Sequence, residues 1–241
     1  MAAVLDISAA RVVKEGGGQR FELHVPQFQA GAGDRIALVG PSGCGKSTLL
    51  DLLALLSLPE AVKRFRFDPA PETGEDLAPL FRAGDLSALA ALRKRHMGYV
   101  LQTGGLLPYL TIAGNIGLPR RLLGLGDDGS VERLAAVLGI SGHLGKFPAA
   151  LSVGERQRAA IARALAHRPA VVLADEPTAA LDPENSDLVM GMLVELAEEF
   201  GTTVIVVSHD RERVARFGFT TAQHHILERE AAGCVRSAFW T

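Results

Sequence analysis

Residues 40–48 read GPSGCGKST, and they directly follow the apolar run RIALV at residues 35–39. A strand, a glycine-rich loop ending in Gly-Lys-Ser and a helix, in this order, are the setting of a phosphate-binding loop. The glycines let backbone NH groups point inward around a phosphate, and the following helix offers its positive N-terminal end to the same anion. The stretch therefore predicts an α/β fold that binds a nucleoside triphosphate.

Two side chains of the loop are expected to have separate tasks. Lys46 would reach the β- and γ-phosphates, and the hydroxyl of Ser47 would bind Mg²⁺. Cys44 is interpreted as a tolerated small residue rather than a redox centre. The predicted nucleotide-binding residues of the loop are Gly40, Ser42, Gly43, Cys44, Gly45, Lys46, Ser47 and Thr48.

Composition narrows the possible classes of protein. The 241 residues carry a formal net charge of −2, which provides no basic field for nucleic acid, so no nucleic-acid partner is expected. No apolar run reaches the roughly 18 residues that cross a bilayer, and the N-terminus does not resemble a signal peptide. Two cysteines are too few for a disulfide scaffold. The expected location is the cytoplasm.

Periodicity and turn signals divide the chain into strands and helices. Residues 4–13 and 20–29 are predicted to pair as strands, because the second alternates apolar and polar side chains and glycines 16–18 supply a turn. The other predicted elements are a surface loop at 68–79, a helix at 86–95, a strand at 97–101, helices at 131–138 (capped by Ser130) and 154–167, a strand at 170–174, a helix from Asp182 to Gly201 and a strand at 202–207. Apolar strands alternating with helices predict a doubly wound, mainly parallel sheet.

Between residues 103 and 167, loop and helix signals replace the apolar strands that are found on either side. We therefore predict a single domain over residues 1–241 with the α/β fold of a P-loop NTPase. Its nucleotide-binding core comprises residues 1–102 and 168–241 and includes an N-terminal antiparallel β-subdomain. Residues 103–167 are predicted to form an inserted helical subdomain.

A second candidate site follows the apolar strand that ends AVVLADE at residues 170–176. An acidic residue at the carboxyl end of a buried parallel strand lies beside the phosphate loop in such a fold. Asp175 is therefore expected to hold Mg²⁺ through water. Glu176 is expected to polarise the attacking water, because a general base needs a free lone pair within hydrogen-bond reach.

Further motifs follow in a fixed order. Gln102 stands in YVLQTGG, LSVGERQR occupies residues 151–158, TAALD occupies 178–182, and His209 stands in VVSHD. They match the Q-loop, the signature, the D-loop and the switch histidine of the ATP-binding subunits of ABC transporters. The sequence resembles that family over nearly its whole length, and the signature motif is specific to it among phosphate-loop proteins.

The resemblance implies a composite ATP site. In the family two copies sandwich two ATP molecules head to tail, so each site is completed by the signature of the other copy. Ser152 and the NH of Gly154 would donate to the partner's γ-phosphate, and Asp182 would cross the dimer interface near the opposite phosphate loop.

The same resemblance implies the catalytic residues and the metal ligands. Glu176, His209 and Gln102 would be catalytic, with His209 contacting the γ-phosphate and holding Glu176 in place. Ser47, Gln102 and Asp175 would bind the metal, so that ATP and Mg²⁺ are the implied cofactors.

Three positions depart from the family pattern. Val153 stands where the signature usually has glycine, which adds bulk near the phosphate-facing side, and Glu155 stands where glutamine is common. The aromatic residue that usually stacks on adenine would fall near Val13, and the chain has no aromatic residue before Phe21. We therefore predict that adenine packs on an aliphatic surface and that base selectivity is weak.

The resemblance also implies a membrane partner. Family members lie on the inner face of the membrane and drive a separate permease, which would dock around Gln102 to Asn115, where residues 106–110 form an apolar cluster. The stretch at 98–119 looks most like the lipoprotein-releasing and macrolide-efflux branch, which implies export or extraction of an envelope substrate.

Other interpretations stay open at this point. Amino-acid importer ATPases share much of the same pattern, and a substrate-binding protein gene beside the permease gene would favour them. A soluble ABC ATPase without a permease usually carries two cassettes or a long coiled coil, and this chain has neither. A small-molecule kinase would leave the signature and the SHD motif unexplained.

Overall fold

A computed structural model of the chain describes residues 3–16, 19–70, 74–229 and 234–241. Its strands are β1 (Ala3–Gly16), β2 (Gln19–Gly31), β3 (Arg35–Val39), β4 (Arg64–Phe67), β5 (Glu75–Asp76), β6 (Met97–Val100), β7 (Val171–Asp175), β8 (Thr203–Ser208), β9 (Thr220–Thr221), β10 (Gln223–Arg229) and β11 (Cys234–Trp240). Its α-helices are α1 (Lys46–Leu53), α2 (Ala78–Ala83), α3 (Leu86–His96), α4 (Ile112–Ile116), α5 (Leu118–Leu122), α6 (Ser130–Val137), α7 (Val153–Leu165), α8 (Pro183–Phe200) and α9 (Arg211–Arg216). Short 3₁₀ turns occupy Ser141–His143 and Pro148–Ala150.

The centre of the molecule is a five-stranded sheet in the order β6-β7-β8-β3-β9, and every pairing in it is parallel. The middle strands are apolar along their length because both of their faces are covered. Leu38 and Ile205 pack in a core with the leucines of α1, whereas Val39 and Val206 pack in a second core with α7 and α8. The predicted doubly wound parallel sheet is confirmed.

This arrangement brings the carboxyl ends of β3, β7 and β8 to one edge of the sheet. Val39 pairs with Ser208, and Asp175 pairs with Val207, so the phosphate loop, the acidic pair and the SHD segment start side by side. In open parallel sheets this edge is where ligands bind.

A second sheet has the strand order β10-β11-β2-β1-β4-β5. The predicted antiparallel pairing of β1 with β2 is present, and the joining residues Gly17 and Gly18 lie outside the described residues. The sheet also contains two strands that the sequence did not predict, because β10 and β11 from the C-terminal part of the chain join the N-terminal antiparallel strands. β11 runs parallel to β2, with Val235 opposite Phe21.

Two local expectations are wrong. Ser130 is the first residue of α6 rather than its cap, because Gly129 takes the cap position at φ 72° and both the NH and the hydroxyl of Ser130 donate to Asp128.

The stretch 68–79 is not a loop throughout, since β5 and the start of α2 fall within it. Asp76 accepts the NH groups of Phe65 and Ala78, at 3.1 Å each, and so links β4 to α2.

The two long helices after residue 150 have clear local signals. Ser152 caps α7 by accepting the NH of Glu155, and Asp182 caps α8 by accepting the NH of Asn185. Gly201 ends α8 at φ 64°, as the sequence predicts. None of the helices within the described ranges is long and apolar enough to span a membrane.

Candidate active site

The phosphate loop lies between β3 and α1, and its shape depends on two close approaches. A Cβ atom on Gly45, which has φ +100°, would lie 2.6 Å from the Cζ atom of Phe21. A Cβ atom on Gly40 would lie 2.9 Å from the Sγ atom of Cys44, which is fully buried in the core. Any side chain at either glycine would therefore push the loop away from its neighbours, and Cys44 acts as a packing residue.

The Lys46 side chain lies folded within the loop. Its ammonium group donates to the carbonyl oxygens of Gly40 and Pro41, at 2.8 and 2.9 Å. The side chain is buried, so these bonds satisfy a charge that would otherwise be costly to hold away from water. The ammonium is thus already fixed at the edge of the cavity into which a phosphate would bind.

A cavity of about 570 Å³ opens next to this loop. Most of the predicted phosphate-binding side of the loop faces it, and strands of the second sheet close its other side. The cavity is lined by Lys14, Arg20, Phe21, Ser42, Gly43, Gly45, Lys46, Ser47, Thr48, Glu176, His209 and Val235. Its size fits a small organic ligand, and Lys46 supplies a cation on the loop side.

Asp175 ends β7 next to the loop and meets the Ser47 side chain. Burial raises the pKa of Asp175, and the charge of Glu176 raises it further, while the hydrogen bond with Ser47 acts in the opposite direction. A carboxylate in such surroundings gains strongly from a nearby divalent cation. Its oxygen atoms and the Ser47 hydroxyl are hard ligands of the kind that Mg²⁺ prefers, so these residues fit that ion.

Glu176 is held from three directions. Its backbone lies in the left-handed region at φ 46°, which costs a non-glycine residue roughly 1–3 kcal/mol. Its NH donates to the carbonyl of Val207 at 3.1 Å. One carboxylate oxygen lies 2.6 Å from His209 Nε2, and the other accepts a longer contact of 3.4 Å from Gln102 Nε2. The carboxylate of this cavity-lining residue is therefore held by two side chains from different segments.

The signature residues form a different site. Ser152, Gly154 and Asp182 border a separate pocket of about 280 Å³, which also includes Val153 and Glu155. None of these residues is among the described residues that line the cavity at the phosphate loop. The residues predicted for ATP binding thus fall into two groups within one chain, with Glu176, His209 and Gln102 in the first group.

Three residues that the sequence interpretation did not assign to the site support it. Phe21 of β2 supplies an aromatic ring to the cavity wall, although the sequence around Val13 contains no aromatic residue. The hydroxyl of Ser237 on β11 donates to the carbonyl of Cys44 at 2.7 Å, and His224 on β10 packs against Phe239 behind the loop. For Phe21 the sequence signal was the alternation of apolar and polar residues in β2, and the pairing of β2 with β1 places it opposite Lys14.

Comparison with known proteins shows to which family the chain belongs. Residues 23–179 match the family described as ABC transporter. This chain belongs to the ABC transporter family. It is 42% identical over 187 residues to the lipoprotein-releasing system ATP-binding protein LolD of Ruegeria pomeroyi, which covers 76% of this chain and 78% of LolD. The cassette is therefore an ATP-binding subunit and an ATPase, and its resemblance to the lipoprotein-releasing branch is confirmed.

Another relative and a solved structure extend the comparison. The cassette is 37% identical over 203 residues to the methionine import ATP-binding protein MetN of Xanthomonas axonopodis pv. citri, covering 83% of this chain and 57% of MetN. It also resembles the cassette MJ0796 in a dimeric, post-hydrolysis structure bound to ADP and Pi. That match has a TM-score of 0.71 and 30% identity and covers 96% of each chain. The predicted ABC ATPase fold is confirmed.

Proposed function

We propose that two copies of this cassette close head to tail around two ATP molecules and that hydrolysis drives a separate membrane permease in the export or extraction of an envelope substrate. One observation carries the dimer. The signature pocket around Ser152 is separate from the cavity at the phosphate loop, so a second copy is needed to bring the two together. The dimeric state of the similar MJ0796 cassette supports the same arrangement.

Within this proposal each loop group has a distinct role. The NH groups of residues 42–48 and the Lys46 ammonium bind the phosphates, and the start of α1 adds its positive end. Ser47 and Asp175, with Gln102, would hold Mg²⁺, which neutralises phosphate charge when bound. On the opposite side, Ser152 and the NH of Gly154 would donate to the γ-phosphate of the second copy, and Asp182 would lie at the interface.

Glu176 is proposed as the general base. It takes a proton from the attacking water, whose oxygen bonds to the γ-phosphorus while the bond to the β–γ bridging oxygen breaks, so that ADP and phosphate leave. His209, 2.6 Å from one carboxylate oxygen, orients this group, and Gln102 approaches the other oxygen. The strained backbone at Glu176 fits a residue whose position matters more than its local stability.

The proposal for Glu176 is tested with the variant Glu176→Gln. An amide has nearly the same shape but cannot take the proton, so ATP should still bind while hydrolysis falls by at least 10²-fold and the ATP-bound dimer accumulates. Phosphate release and sedimentation velocity in ATP would measure both effects. The matched control is Glu199→Gln at an exposed position of α8, which should hydrolyse ATP normally. Hydrolysis at the unaltered rate by Glu176→Gln would remove Glu176 from this role.

The permease is proposed to dock on the segment from Gln102 to Asn115. Asn115 is fully buried and holds this segment by accepting the NH of Leu107, at 2.7 Å, and by donating to the carbonyls of Leu107, Leu110 and Thr111. Tyr109 is left 71% exposed at the tip. A rigid backbone that presents an exposed aromatic side chain suits a protein-binding surface.

Docking would place the cassette on the cytoplasmic face of the membrane, with residues 103–167 acting as the helical subdomain that carries permease contacts. Two kinds of permease are consistent with the relatives, since LolD is named for lipoprotein release and MetN for methionine import. We favour release or export, because LolD is the more similar in sequence and is covered over more of its length.

Purification from solubilised membranes tests the partner. The tagged cassette should recover a stoichiometric membrane protein, and Tyr109→Asp should lose it while still binding ATP. Leu227→Asp, at an exposed position on β10, is the matched control and should keep the partner. A partner with a large extracytoplasmic domain supports extraction, and an importer permease with a binding protein supports the alternative. Recovery of the unaltered cassette without any membrane protein would contradict the permease proposal.

A further inference from the structure

A chain of hydrogen bonds runs from the signature to the segment just before it. It links the side chains of Ser152, Glu155, His143 and Lys146. Glu155, in the first turn of α7, accepts from both the NH and the hydroxyl of Ser152 through one carboxylate oxygen, at 2.7 and 2.8 Å. In return the Ser152 hydroxyl accepts the NH of Glu155 at 3.3 Å, which closes a capping box. In this structure the single proton of the Ser152 hydroxyl is therefore donated to Glu155 of the same chain.

The other oxygen of Glu155 lies 3.0 Å from Nε2 of His143, in the 3₁₀ turn that precedes the signature. The second ring nitrogen of His143, Nδ1, lies 3.0 Å from the Lys146 ammonium. An ammonium group only donates, so Nδ1 must accept, and the proton of a neutral imidazole must then sit on Nε2. Lys146 thus sets the tautomer in which His143 donates to Glu155.

We propose that His143 is a positioning residue of the signature: it fixes the Glu155 carboxylate, which holds the Ser152 NH and closes the capping box, and it thereby fixes the start of α7 that faces the nucleotide of the second copy. The inference rests on the composite site proposed above. His143 and Glu155 each keep about a quarter of their side-chain surface exposed. Glu155 lines the signature pocket, and His143 contacts it from outside the residues that line that pocket. His143 acts on the nucleotide only through Glu155.

The arrangement explains why glutamate stands at position 155. A glutamine there would offer one acceptor and one NH₂ group. If its oxygen served Ser152, its NH₂ group would face the Nε2–H group of His143, and two donors would meet. The imidazole cannot move its proton to Nδ1 without presenting an NH group to the Lys146 ammonium. His143, Lys146 and Glu155 therefore form a matched set.

The test measures ATP-dependent dimerisation in the Glu176→Gln background, in which hydrolysis is expected to be slow. His143→Ala should raise the protein concentration for half-maximal dimerisation about 2- to 10-fold, the effect of losing one side-chain hydrogen bond that holds the site. The affinity of the monomer for a fluorescent ATP analogue should not change, because the phosphate-loop cavity is separate. His225→Ala, at an exposed position on β10, is the matched control.

Two further variants separate positioning from general loss of structure. His143→Gln supplies an NH₂ donor for Glu155 and an oxygen acceptor for Lys146, so it should restore dimerisation toward the level of the control. Glu155→Gln should weaken dimerisation, and adding His143→Ala should make it no worse, since the opposed donors are then gone. This comparison remains informative if His143→Ala folds poorly.

The outcomes distinguish this inference from the proposed function. Dimerisation of His143→Ala equal to that of His225→Ala, or strictly additive effects of Glu155→Gln and His143→Ala, would overturn the role of His143 while leaving the composite site intact. Failure of Glu176→Gln itself to dimerise in ATP would reject the composite site and this inference together.

Discussion

At the scale of single residues, Phe21 changes the expectation for the nucleotide base. The absence of an aromatic residue near Val13 predicts an aliphatic surface, but the ring of Phe21 reaches the cavity from the neighbouring strand and packs over Gly45. Stacking on an aromatic ring is tolerant of base identity, because every base has a π face. Weak discrimination between ATP and GTP therefore stays our prediction, with an aromatic wall instead of an aliphatic one.

The variant Phe21→Leu tests this residue. Leucine keeps apolar packing over Gly45 but removes the stacking face, which contributes roughly 0.5–1.5 kcal/mol, so ATP and GTP should both bind about 2- to 12-fold more weakly. Equilibrium titration with fluorescent analogues of both nucleotides measures this. Phe147→Leu, at an exposed position before the signature, serves as the control. Unchanged binding of both nucleotides would show that the base does not reach Phe21.

At the scale of elements, α7 is tied to the loop that carries Gln102. Arg163 donates to the carbonyls of Gly105 and Gly104, at 2.8 and 3.1 Å, and Gln157 reaches the carbonyl of Leu101 at 3.4 Å. Arg163 is half-buried, and this burial lowers the pKa of its guanidinium. The signature helix and the Gln102 loop are therefore expected to move together when the cassette changes state.

Arg163→Met is expected to break this link. Two partly buried carbonyl groups lose a charged donor, so the free energy of unfolding should fall by roughly 1.5–3 kcal/mol, and amide exchange in residues 101–105 should quicken. Urea denaturation and hydrogen exchange by mass spectrometry measure the two effects. Arg82→Met, at an exposed position of α2, should change neither. Slow exchange in the loop of the Arg163 variant would argue that other contacts hold it.

At the scale of the whole molecule, His167 ties the end of α7 to the central sheet. The ring is buried, and its Nε2 lies 3.2 Å from the carbonyl of Met97 at the start of β6. A carbonyl only accepts, so a neutral ring donates from Nε2, and Nδ1 is left buried without a hydrogen-bond partner. Burial lowers the pKa of His167 to about 4.

The lowered pKa predicts how global stability depends on pH. Between about pH 6.5 and 4 the unfolded chain binds a proton at this histidine that the folded chain does not, so stability falls as pH falls through that window. The loss from pH 7 to 4.5 should be on the order of 2 kcal/mol. His167→Gln keeps a donor for Met97 but does not titrate, so its unfolding free energy should decline less over the same range. Equal slopes for both proteins would contradict the prediction.

Much of the nucleotide core could be predicted from the chain alone, because its signals are local. The glycine loop between β3 and α1, the start of α8 at Asp182, and the apolar strands β7 and β8 are each specified by a few neighbouring residues. The parallel sheet then brings the ends of its strands to one edge. The family motifs could be recognised for the same reason, since each is a short run of residues.

Other features depend on residues that meet only after folding. The short pattern of β11 does not reveal its parallel pairing with β2, more than two hundred residues earlier in the chain, and β10 joins the sheet only through its antiparallel pairing with β11. The cap of α6 depended on a competition among Asp128, Gly129 and Ser130 that the pattern of residue types leaves undecided.

The sequence by itself therefore determined the fold class, the family and the loops that carry the chemistry, because those are properties of short runs of residues. Only the tertiary structure decided that Phe21 closes the cavity, that Ser237 supports the phosphate loop, and that His143 reaches Glu155. Each of these contacts joins segments whose approach depends on how the sheets and helices pack. Packing is a property of the whole chain, and no local pattern encodes it.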